Sequence, residues 1–302
     1  MTIVRAGTRR SRLAIAQTRL VLEALESAWP GLRTVITPID TRGDRWQSTL
    51  DAVPGGKGIF TSALEDALRS GDIDVAVHSL KDLPTEPAPR LTLGAVCARA
   101  TALDALVADK PYTVDTLPAR ARIGTGSRRR AAQLLHRRRD LEIVSIRGNV
   151  ETRIGKMRSA ALDAVVLAEA GLKRLGLENT IASVLPPGVM LPAAGQGALA
   201  VQCREDDGDI LSLLLAVDNV DDRRATEAER TFLKVLGGGC SVPVAAYASS
   251  TSESLRMDAV VASVDGATLI RLSGAGQSAR ALGEDLAQVA LDRGARDVLA
   301  HV

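Results

Sequence analysis

Two stretches of the chain repeat one order of local features: a strand, a Gly-Thr pair, a loop of Ser and Arg, and then a helix. In the first stretch a strand at 2–6 leads to an amphipathic helix at 12–28. In the second, a strand ending at 122–124 leads to a helix at 128–138. Each stretch later holds a short apolar strand introduced by an Asp. Such alternation predicts two α/β units with partly parallel sheets.

The rest of the chain predicts a third, smaller unit. A length of 302 residues suits two or three domains. A segment rich in Pro and Gly at 186–197 is typical of a connection, and a strand candidate follows at 198–203. A charged helix at 221–236 then stops at three glycines, and short strands alternate up to a closing helix at 277–293. We expect a small C-terminal α/β domain there.

Charge and composition limit the possible functions. The net charge of +2 conceals an asymmetry: residues 1–150 carry 23 Lys and Arg against 16 Asp and Glu, a net of +7, and the remainder carries −5. The basic first half predicts an anionic partner, which is a nucleic acid, a phosphate or a carboxylate. Single-strand binders stack bases on aromatic side chains. The six aromatic residues of this chain disfavour that alternative.

Targeting and metal signals are missing from the sequence. The N-terminal residues lack the apolar run of a secretory signal, and no stretch reaches the length of a membrane span. Cys97, Cys203 and Cys240 are odd in number and widely separated, which argues against a disulfide framework. The three histidines show no metal-ligand spacing with them. We therefore expect a cytoplasmic protein without a metal.

The two Gly-Thr loops predict anion binding. Unpaired N–H groups and the positive end of the dipole attract anions to a helix N-terminus, and guanidinium groups grip carboxylates in a planar fork. A single loop of this kind is more often a plain turn with solvated arginines. Two similar loops, with further arginines near predicted strand ends, favour the anion site. Its candidate residues are Arg9, Ser11, Ser127, Arg128, Arg129, Arg130, Arg147, Arg153 and Arg174.

Three other segments are weaker candidates by themselves. The segment 55–58 lacks the spacing of a phosphate loop, so Lys57 lies either near a ligand anion or in a flexible loop. Asp82 follows a strand and lies beside Lys81, where it could act as an acid, a base or a stabiliser of cations. An Asp before a Pro-bounded turn is also a common structural choice. Cys240 follows three glycines that could expose its thiol, although a single Cys in a loop is usually structural.

Taken together and in order, the motifs resemble the porphobilinogen deaminase (hydroxymethylbilane synthase) family. Three of them are especially specific: HSLKD, the Arg-Gly-Asn-Val segment and the Gly-Gly-Cys loop. The resemblance covers nearly the whole chain and is weakest over the last sixty or so residues. The matching stretches are 5–17, 55–60, 72–84, 122–134, 146–156, 163–176, 191–204, 229–233 and 237–248.

The resemblance implies an α/β fold of three domains, two of them similar to the lobes of type-2 periplasmic binding proteins. Domain 1 is expected to be discontinuous, at 1–98 and 197–216, with the strand at 198–203 returning to it. Domain 2 is expected at 102–192. Domain 3, at 219–302, would be small and would carry Cys240. The resemblance also suggests a monomer that binds neither membranes nor nucleic acids.

The resemblance further implies a transferase that joins four porphobilinogen molecules head to tail, with loss of ammonia, into 1-hydroxymethylbilane for tetrapyrrole and heme biosynthesis. A dipyrromethane cofactor would be attached to Cys240 as a thioether, and Asp82 would be catalytic. The other expected cofactor contacts are Ser79, Lys81, Thr125, Ser127, Arg129, Arg130 and Gln196. The expected substrate contacts are Arg9, Ser11, Lys57, Arg147, Arg153 and Arg174.

The chain departs from the common family pattern at four positions, which are Val53, Ser62, Gly126 and Ser241. Lysines are frequent at the first two, Ser at the third and Gln at the fourth. A non-catalytic receptor for small anions is an alternative, because the two-lobed pattern resembles solute receptors. A third domain bearing a cysteine and the missing export signal argue against that alternative.

Overall fold

A computed structural model describes residues 3–41, 61–238, 242–251 and 254–300. The chain divides into two compact units. The first unit comprises residues 1–100 and 198–223, and the second comprises residues 101–197 and 224–302. Three sheets are present in the described residues, one in the first unit and two in the second. The three-domain division expected from the family resemblance remains a prediction.

The strands are short, with three to eight residues each. In chain order they are β1 Ile3–Arg9, β2 Arg33–Ile39, β3 Val75–Ser79, β4 Leu91–Val96, β5 Asp104–Val107, β6 Arg122–Gly124, β7 Glu142–Val144, β8 Ala164–Ala168, β9 Ile181–Leu185, β10 Leu199–Arg204, β11 Val244–Ser250, β12 Leu255–Ala262 and β13 Leu269–Gly276.

The helices mostly begin at side chains that cap the first turn. In chain order they are α1 Arg12–Ala28, α2 Ser62–Ser70, α3 Arg128–Arg137, α4 Val150–Ser159, α5 Glu169–Arg174, α6 Gly208–Leu214, α7 Val220–Val235, α8 Ala279–Asp292 and α9 Ala295–Leu299. No helix within the described residues has both the length and the apolar character needed to cross a membrane.

The sheet of the first unit has the strand order β2-β1-β3-β10-β4. The strands β2, β1 and β3 are parallel, and β10 is antiparallel to both of its neighbours. β10 is the strand predicted at 198–203, and it lies in this sheet. α1 packs Val21, Leu22 and Leu25 against the buried face of β1, β3 and β10. The side chain of Ser11 accepts a hydrogen bond from the N–H of Ala14 and so begins this helix.

The larger sheet of the second unit repeats that layout. Its order is β7-β6-β8-β5-β9, in which three parallel strands are followed by β5, antiparallel to both neighbours. The fourth strand of each sheet comes from a distant part of the chain. In the first sheet it is the late strand β10, and in the second it is the early strand β5. The similarity between the two repeating sequence stretches is therefore also present in the strand order of their sheets.

The second unit also holds a three-stranded antiparallel sheet, β11-β12-β13. One core cluster joins this sheet to α7 and α8, with Phe232 and Leu286 among its buried members. A second cluster lies on other side chains of the same sheet and includes Ala132 of α3 and Leu191. Small residues at these contacts allow α3 to approach the sheet closely. The mixed α/β class predicted from the sequence is confirmed.

Candidate functional site

The carboxyl ends of β1 and β3 meet at one edge of the first sheet. The two strands are parallel, with Gly7 opposite Ala76. The segments that follow them are therefore neighbours, as expected for ligand sites at the carboxyl ends of parallel strands. Arg9 ends β1 and Ser11 follows it, while Ser79 ends β3 and the turn Leu80–Asp82 follows it. The structure thus brings together the two motifs that the sequence analysis selected in this unit.

A short 3₁₀ turn, Leu80–Asp82, presents Asp82 to solvent. The turn is fixed at its start by the N–H of Leu80, which donates to the carbonyl of Ala198 at 3.0 Å. Leu80 itself is fully buried, while Lys81 is half-buried and Asp82 is exposed. Because the buried Leu80 anchors the turn and the carboxylate of Asp82 is exposed, Asp82 can contact a ligand while its turn stays folded.

Gln17 supports this edge and was missed by the sequence analysis. Its Nε2 donates to Oγ of Ser79 at 2.9 Å, and the side chain is buried. A signal was present in the sequence, because Gln17 stands four and eight residues before the buried Val21 and Leu25. A polar side chain in the apolar stripe of a helix requires a buried partner.

His78 lies behind the same edge as a buried, neutral imidazole. Burial lowers the pKa of His78 to about 4, despite a contact with Gln202 that acts in the opposite direction. Its Nε2 has no hydrogen-bond partner among the described residues. Protonation of this ring is therefore unfavourable in the folded state.

We expect His78 to make the fold sensitive to acid. The group has a depressed pKa when folded, so its contribution is fully present above the unfolded pKa of 6.5 and is lost as the pH falls towards 4. Between pH 7 and pH 5 this loss amounts to about 2 kcal/mol. Chemical unfolding at both pH values should show a smaller loss of stability in His78→Leu than in the unchanged chain. Equal losses in the two proteins would contradict this assignment.

In the second unit, the loop between β6 and α3 is tightly structured. Thr125 is buried, and its Oγ1 accepts from the N–H of Ser127 at 3.2 Å. Oγ of Ser127 accepts in turn from the N–H of Arg130 at 3.4 Å and begins α3. A Cβ added at Gly126 would lie 2.7 Å from the carbonyl oxygen of Ile146. Gly126, where the family commonly has Ser, therefore lies close to the backbone of Ile146. A Ser at this position would require that backbone to move.

A buried charge cluster lies at the start of α3. We call it the arginine–aspartate cluster, and it consists of Asp104 of β5, Arg129 and Arg130. The two guanidinium groups lie 2.8 and 2.7 Å from the Asp104 carboxylate, and none of the three side chains is more than 6% exposed. Burial raises the pKa of Asp104, but the two guanidinium charges outweigh it and hold that pKa far below its usual range. Gln196 joins the cluster through a 2.9 Å hydrogen bond to Oδ1 of Asp104.

The three arginines of the second unit that are expected to bind substrate, Arg147, Arg153 and Arg174, are half-buried. Arg153 Nε donates to the carbonyl of Gly148 at 2.8 Å, and Arg174 Nη2 donates to that of Gly197 at 2.7 Å. The carbonyl of Arg147 accepts from Lys156 Nζ at 3.0 Å. Each of these three residues thus takes part in a hydrogen bond to a backbone carbonyl, and for Arg153 and Arg174 it is the side chain that donates.

Two predicted site residues, Lys57 and Cys240, lie outside the described residues, and so do Val53 and Ser241. Ser62 is the first residue of α2. Among the residues that the structure describes, no group of three His, Cys, Asp or Glu side chains could hold a metal ion.

Comparison with known families resolves the identity of these motifs. The sequence model for "Porphobilinogen deaminase, dipyromethane cofactor binding domain" matches residues 4–212, which include every site residue named above except Cys240. The chain belongs to the porphobilinogen deaminase family. A second model of that family, for its C-terminal domain, matches residues 224–292. The family consists of transferases that condense porphobilinogen into hydroxymethylbilane in tetrapyrrole biosynthesis.

Curated relatives match the chain over almost its whole length. The porphobilinogen deaminase of Syntrophotalea carbinolica is 48% identical over 98% of this chain and 95% of its own. That of Desulforamulus reducens is 44% identical over 99% and 97%. Similar solved structures include the methionine-binding protein MetQ, with a TM-score of 0.45 and 12% identity over 71% of this chain and 89% of its own. The VFT2 domain of Bordetella pertussis BvgS, as a double mutant, has a TM-score of 0.43 and 17% identity over 76% and 92%.

The described residues fit a dipyrromethane cofactor, whose pyrroles carry acetate and propionate groups. The arginine–aspartate cluster contains two guanidinium groups and one carboxylate, which leaves one positive charge buried. An uncompensated buried charge is costly, and a ligand carboxylate would neutralise it. The chemistry of the cluster therefore suits an acidic cofactor.

Proposed function

We propose that this chain is a cytoplasmic, monomeric enzyme that condenses four porphobilinogen molecules head to tail into 1-hydroxymethylbilane. The observation that carries the proposal is the family match over residues 4–212, which contains Asp82 and both arginine-bearing loops. Four substrate molecules and one water give one product and four molecules of ammonia. In each condensation the aminomethyl C–N bond breaks, ammonia leaves, and a C–C bond forms to a pyrrole carbon that loses a proton.

In the first unit we assign the charge-stabilising role to Asp82. Its exposed carboxylate can hydrogen-bond pyrrole N–H groups and stabilise the positive charge that develops when ammonia departs. Arg9, Ser11 and Lys57 would hold substrate carboxylates. Ser79 and Lys81 would contact the cofactor, and the hydrogen bond from Gln17 would fix the hydroxyl of Ser79.

In the second unit we assign the remaining contacts. When bound, dipyrromethane supplies the pyrrole carbon to which the first substrate is joined, and Cys240 would hold it through a thioether. Thr125, Ser127, Arg129, Arg130 and Gln196 would contact the cofactor. The residues that would bind substrate carboxylates in this unit are Arg147, Arg153 and Arg174.

We propose the family's division into three domains for this chain, at 1–98 with 197–216, at 102–192 and at 219–302. The three sheets, each with its own core clusters, support that division. The strand β10, which lies between β3 and β4, supports a discontinuous first domain.

Intact-mass measurement of the purified protein tests the proposed function. We expect a mass above that of the bare chain by two pyrrole units, and we expect ammonia release on incubation with porphobilinogen. A chain that stays at its bare mass with porphobilinogen, and releases no ammonia, would contradict the proposal. A reversible interaction with small anions, measured by calorimetry in the absence of turnover, would instead favour the receptor alternative.

A further inference from the structure

The carboxyl group of Glu229, a fully buried residue of α7, joins two separate parts of the second unit. Oε1 accepts from the N–H of Ala248 at 2.7 Å, and Oε2 accepts from the N–H of Gly195 at 2.6 Å. A buried carboxyl group is costly unless its oxygens are hydrogen-bonded. Each of these two short hydrogen bonds therefore constrains both of its partners.

Ala248 belongs to β11, which is an outer strand of the three-stranded sheet. The N–H groups that point away from the sheet on an outer strand need acceptors from elsewhere in the chain. On β11 the N–H of Ala246 donates to the carbonyl of Pro192 at 3.2 Å, and that of Ala248 donates to Glu229. Ala194 packs in the core cluster of the same sheet. The segment that leads to β10 is thus attached to the edge of this sheet.

Gly195 is part of a tight turn at residues 194–197, which we call the Gln196 turn. The N–H of Gln196 donates to the carbonyl of Ala193 at 3.0 Å within this segment. Gly195 and Gly197 have φ angles of 72° and 90°, in the left-handed region that favours glycine. Because glycine loses more conformational freedom on folding than any other residue, a turn with two of them needs contacts from other segments to keep one conformation.

The side chain of Gln196 makes exacting contacts that depend on the place of this turn. Its Nε2 donates to the carbonyl of Ala102 at 2.6 Å and to Oδ1 of Asp104 at 2.9 Å, and the side chain is only 1% exposed. Both acceptors lie at the start of β5 or just before it. The amide reaches them together only from one position of its backbone. Glu229 fixes that position through the N–H of the preceding residue, Gly195.

We infer that Glu229 is a positioning residue for cofactor assembly, which holds the Gln196 turn against β11 and so places the amide of Gln196. This inference rests on the proposed function and deepens it, because Gln196 is one of the proposed cofactor contacts. Glu229 acts through the turn and does not itself reach a ligand, since its side chain is fully buried. The helix that precedes Cys240 in the chain thereby also supports a cofactor contact from an earlier segment.

A pair of substitutions, alone and combined, separates positioning from general stabilisation. The proteins are produced in cells that make no porphobilinogen, and adduct formation on added porphobilinogen is followed by intact mass at a temperature where each variant is folded. Glu229→Gln keeps the shape of the side chain, but its amide has one oxygen, so one of the two N–H groups loses its acceptor. We expect a lower melting temperature and, because a displaced contact residue slows a reaction, about tenfold slower adduct formation.

The combined variant shows through which residue Glu229 acts. In a chain that already carries Gln196→Leu, the amide to be placed is absent. Glu229→Gln should then lower the melting temperature again but slow adduct formation by less than about twofold, because coupled residues have non-additive effects. A purely structural Glu229 would slow adduct formation by the same factor with and without the amide of Gln196.

Three further variants complete the experiment. Glu227 is exposed and lies two residues earlier on the same helix, so Glu227→Gln should match the unchanged chain in both measurements. Leu286→Ala weakens the core cluster that contains Ala194, and it should lower the melting temperature without slowing adduct formation. Gly195→Ala keeps Glu229 but strains the turn at a φ of 72°, so it should slow adduct formation as Glu229→Gln does. It provides the test if the Glu229→Gln protein does not fold.

Two results would overturn the inference. One is adduct formation at the rate of the unchanged chain in folded Glu229→Gln, or in folded Gly195→Ala if the former does not fold. The other is an equal slowing by Glu229→Gln in the presence and absence of the Gln196 amide. Either result, with normal adduct formation by the unchanged chain, would remove the positioning role and leave the proposed function intact. An unchanged chain that forms no adduct would instead contradict the proposed function.

Discussion

Asp82→Asn should abolish most turnover while leaving the fold unchanged. The substitution removes the carboxylate charge and preserves the size of the side chain. Because Asp82 is exposed and lies in a turn anchored by Leu80, we expect no measurable change in melting temperature. Removal of one preorganised group that stabilises transition-state charge lowers turnover by about 10²- to 10³-fold. The measurement is the rate of ammonia release at saturating porphobilinogen.

Asp72→Asn is a suitable control for this experiment. Asp72 is also exposed and lies in the first unit. It precedes β3 and accepts a hydrogen bond from Ser70, whereas Asp82 follows β3. Its turnover should equal that of the unchanged chain. If Asp82→Asn keeps more than a tenth of the normal rate, Asp82 does not have the charge-stabilising role proposed here.

Cys240→Ser should yield a protein that never carries the two-pyrrole adduct. A thiolate is a far better nucleophile than a hydroxyl group at neutral pH, so we expect Ser at this position to form no stable link to the cofactor. Intact mass should equal that of the bare chain before and after incubation with porphobilinogen. Turnover should fall to the background rate, because chain growth would have no starting point.

The other two cysteines provide the comparison. Cys203 is fully buried in the core of the first unit, and burial raises the pKa of its thiol to about 11. That thiol remains protonated at neutral pH and is a poor nucleophile. Cys97 is half-buried, and Cys97→Ser should keep the complete adduct. An adduct that persists in Cys240→Ser and disappears in Cys97→Ser would assign the attachment site to Cys97 instead of Cys240.

Sequence reasoning predicted the elements that have strong local signals. The bounds of α1 agree with the predicted helix because Ser11 caps it and Trp29-Pro30-Gly31 terminates its apolar stripe. The strand predicted to end at 122–124 is also present, as β6. These elements are specified within a few residues of their own ends, so no distant contact is needed to recognise them.

The elements that were missed depend on distant contacts. β4, β5, β9, α6 and α9 were not predicted. β5 has only four residues and begins with Asp104, which is a poor strand former by propensity. Its strand conformation is stabilised by pairing with β8 and β9, and Asp104 is tolerated in the interior because two arginines surround it. No local pattern carries that information.

The candidate site was predicted in outline. The loops after β1, β3 and β6 were selected correctly as neighbours of strand ends, because Gly-Thr and Ser-Arg signals are local. The sequence could not distinguish Arg129 from Arg130, which are adjacent and chemically identical. Their difference arises from the two acceptors, Asp104 and Leu191, that lie 26 and 62 residues away in the chain. Side-chain partners of this kind require the tertiary structure.

The exchange of strands between early and late parts of the chain has a consequence for biosynthesis. A ribosome that has delivered residues up to 197 has supplied β1 to β4 but not β10, which lies between β3 and β4. In that nascent chain β4 has no hydrogen-bonding neighbour within its sheet, and one edge of β3 stays open. The amino-terminal half must therefore wait for residue 204 to leave the exit tunnel before its sheet can be completed, whereas the strands β5 to β9 are by then all available.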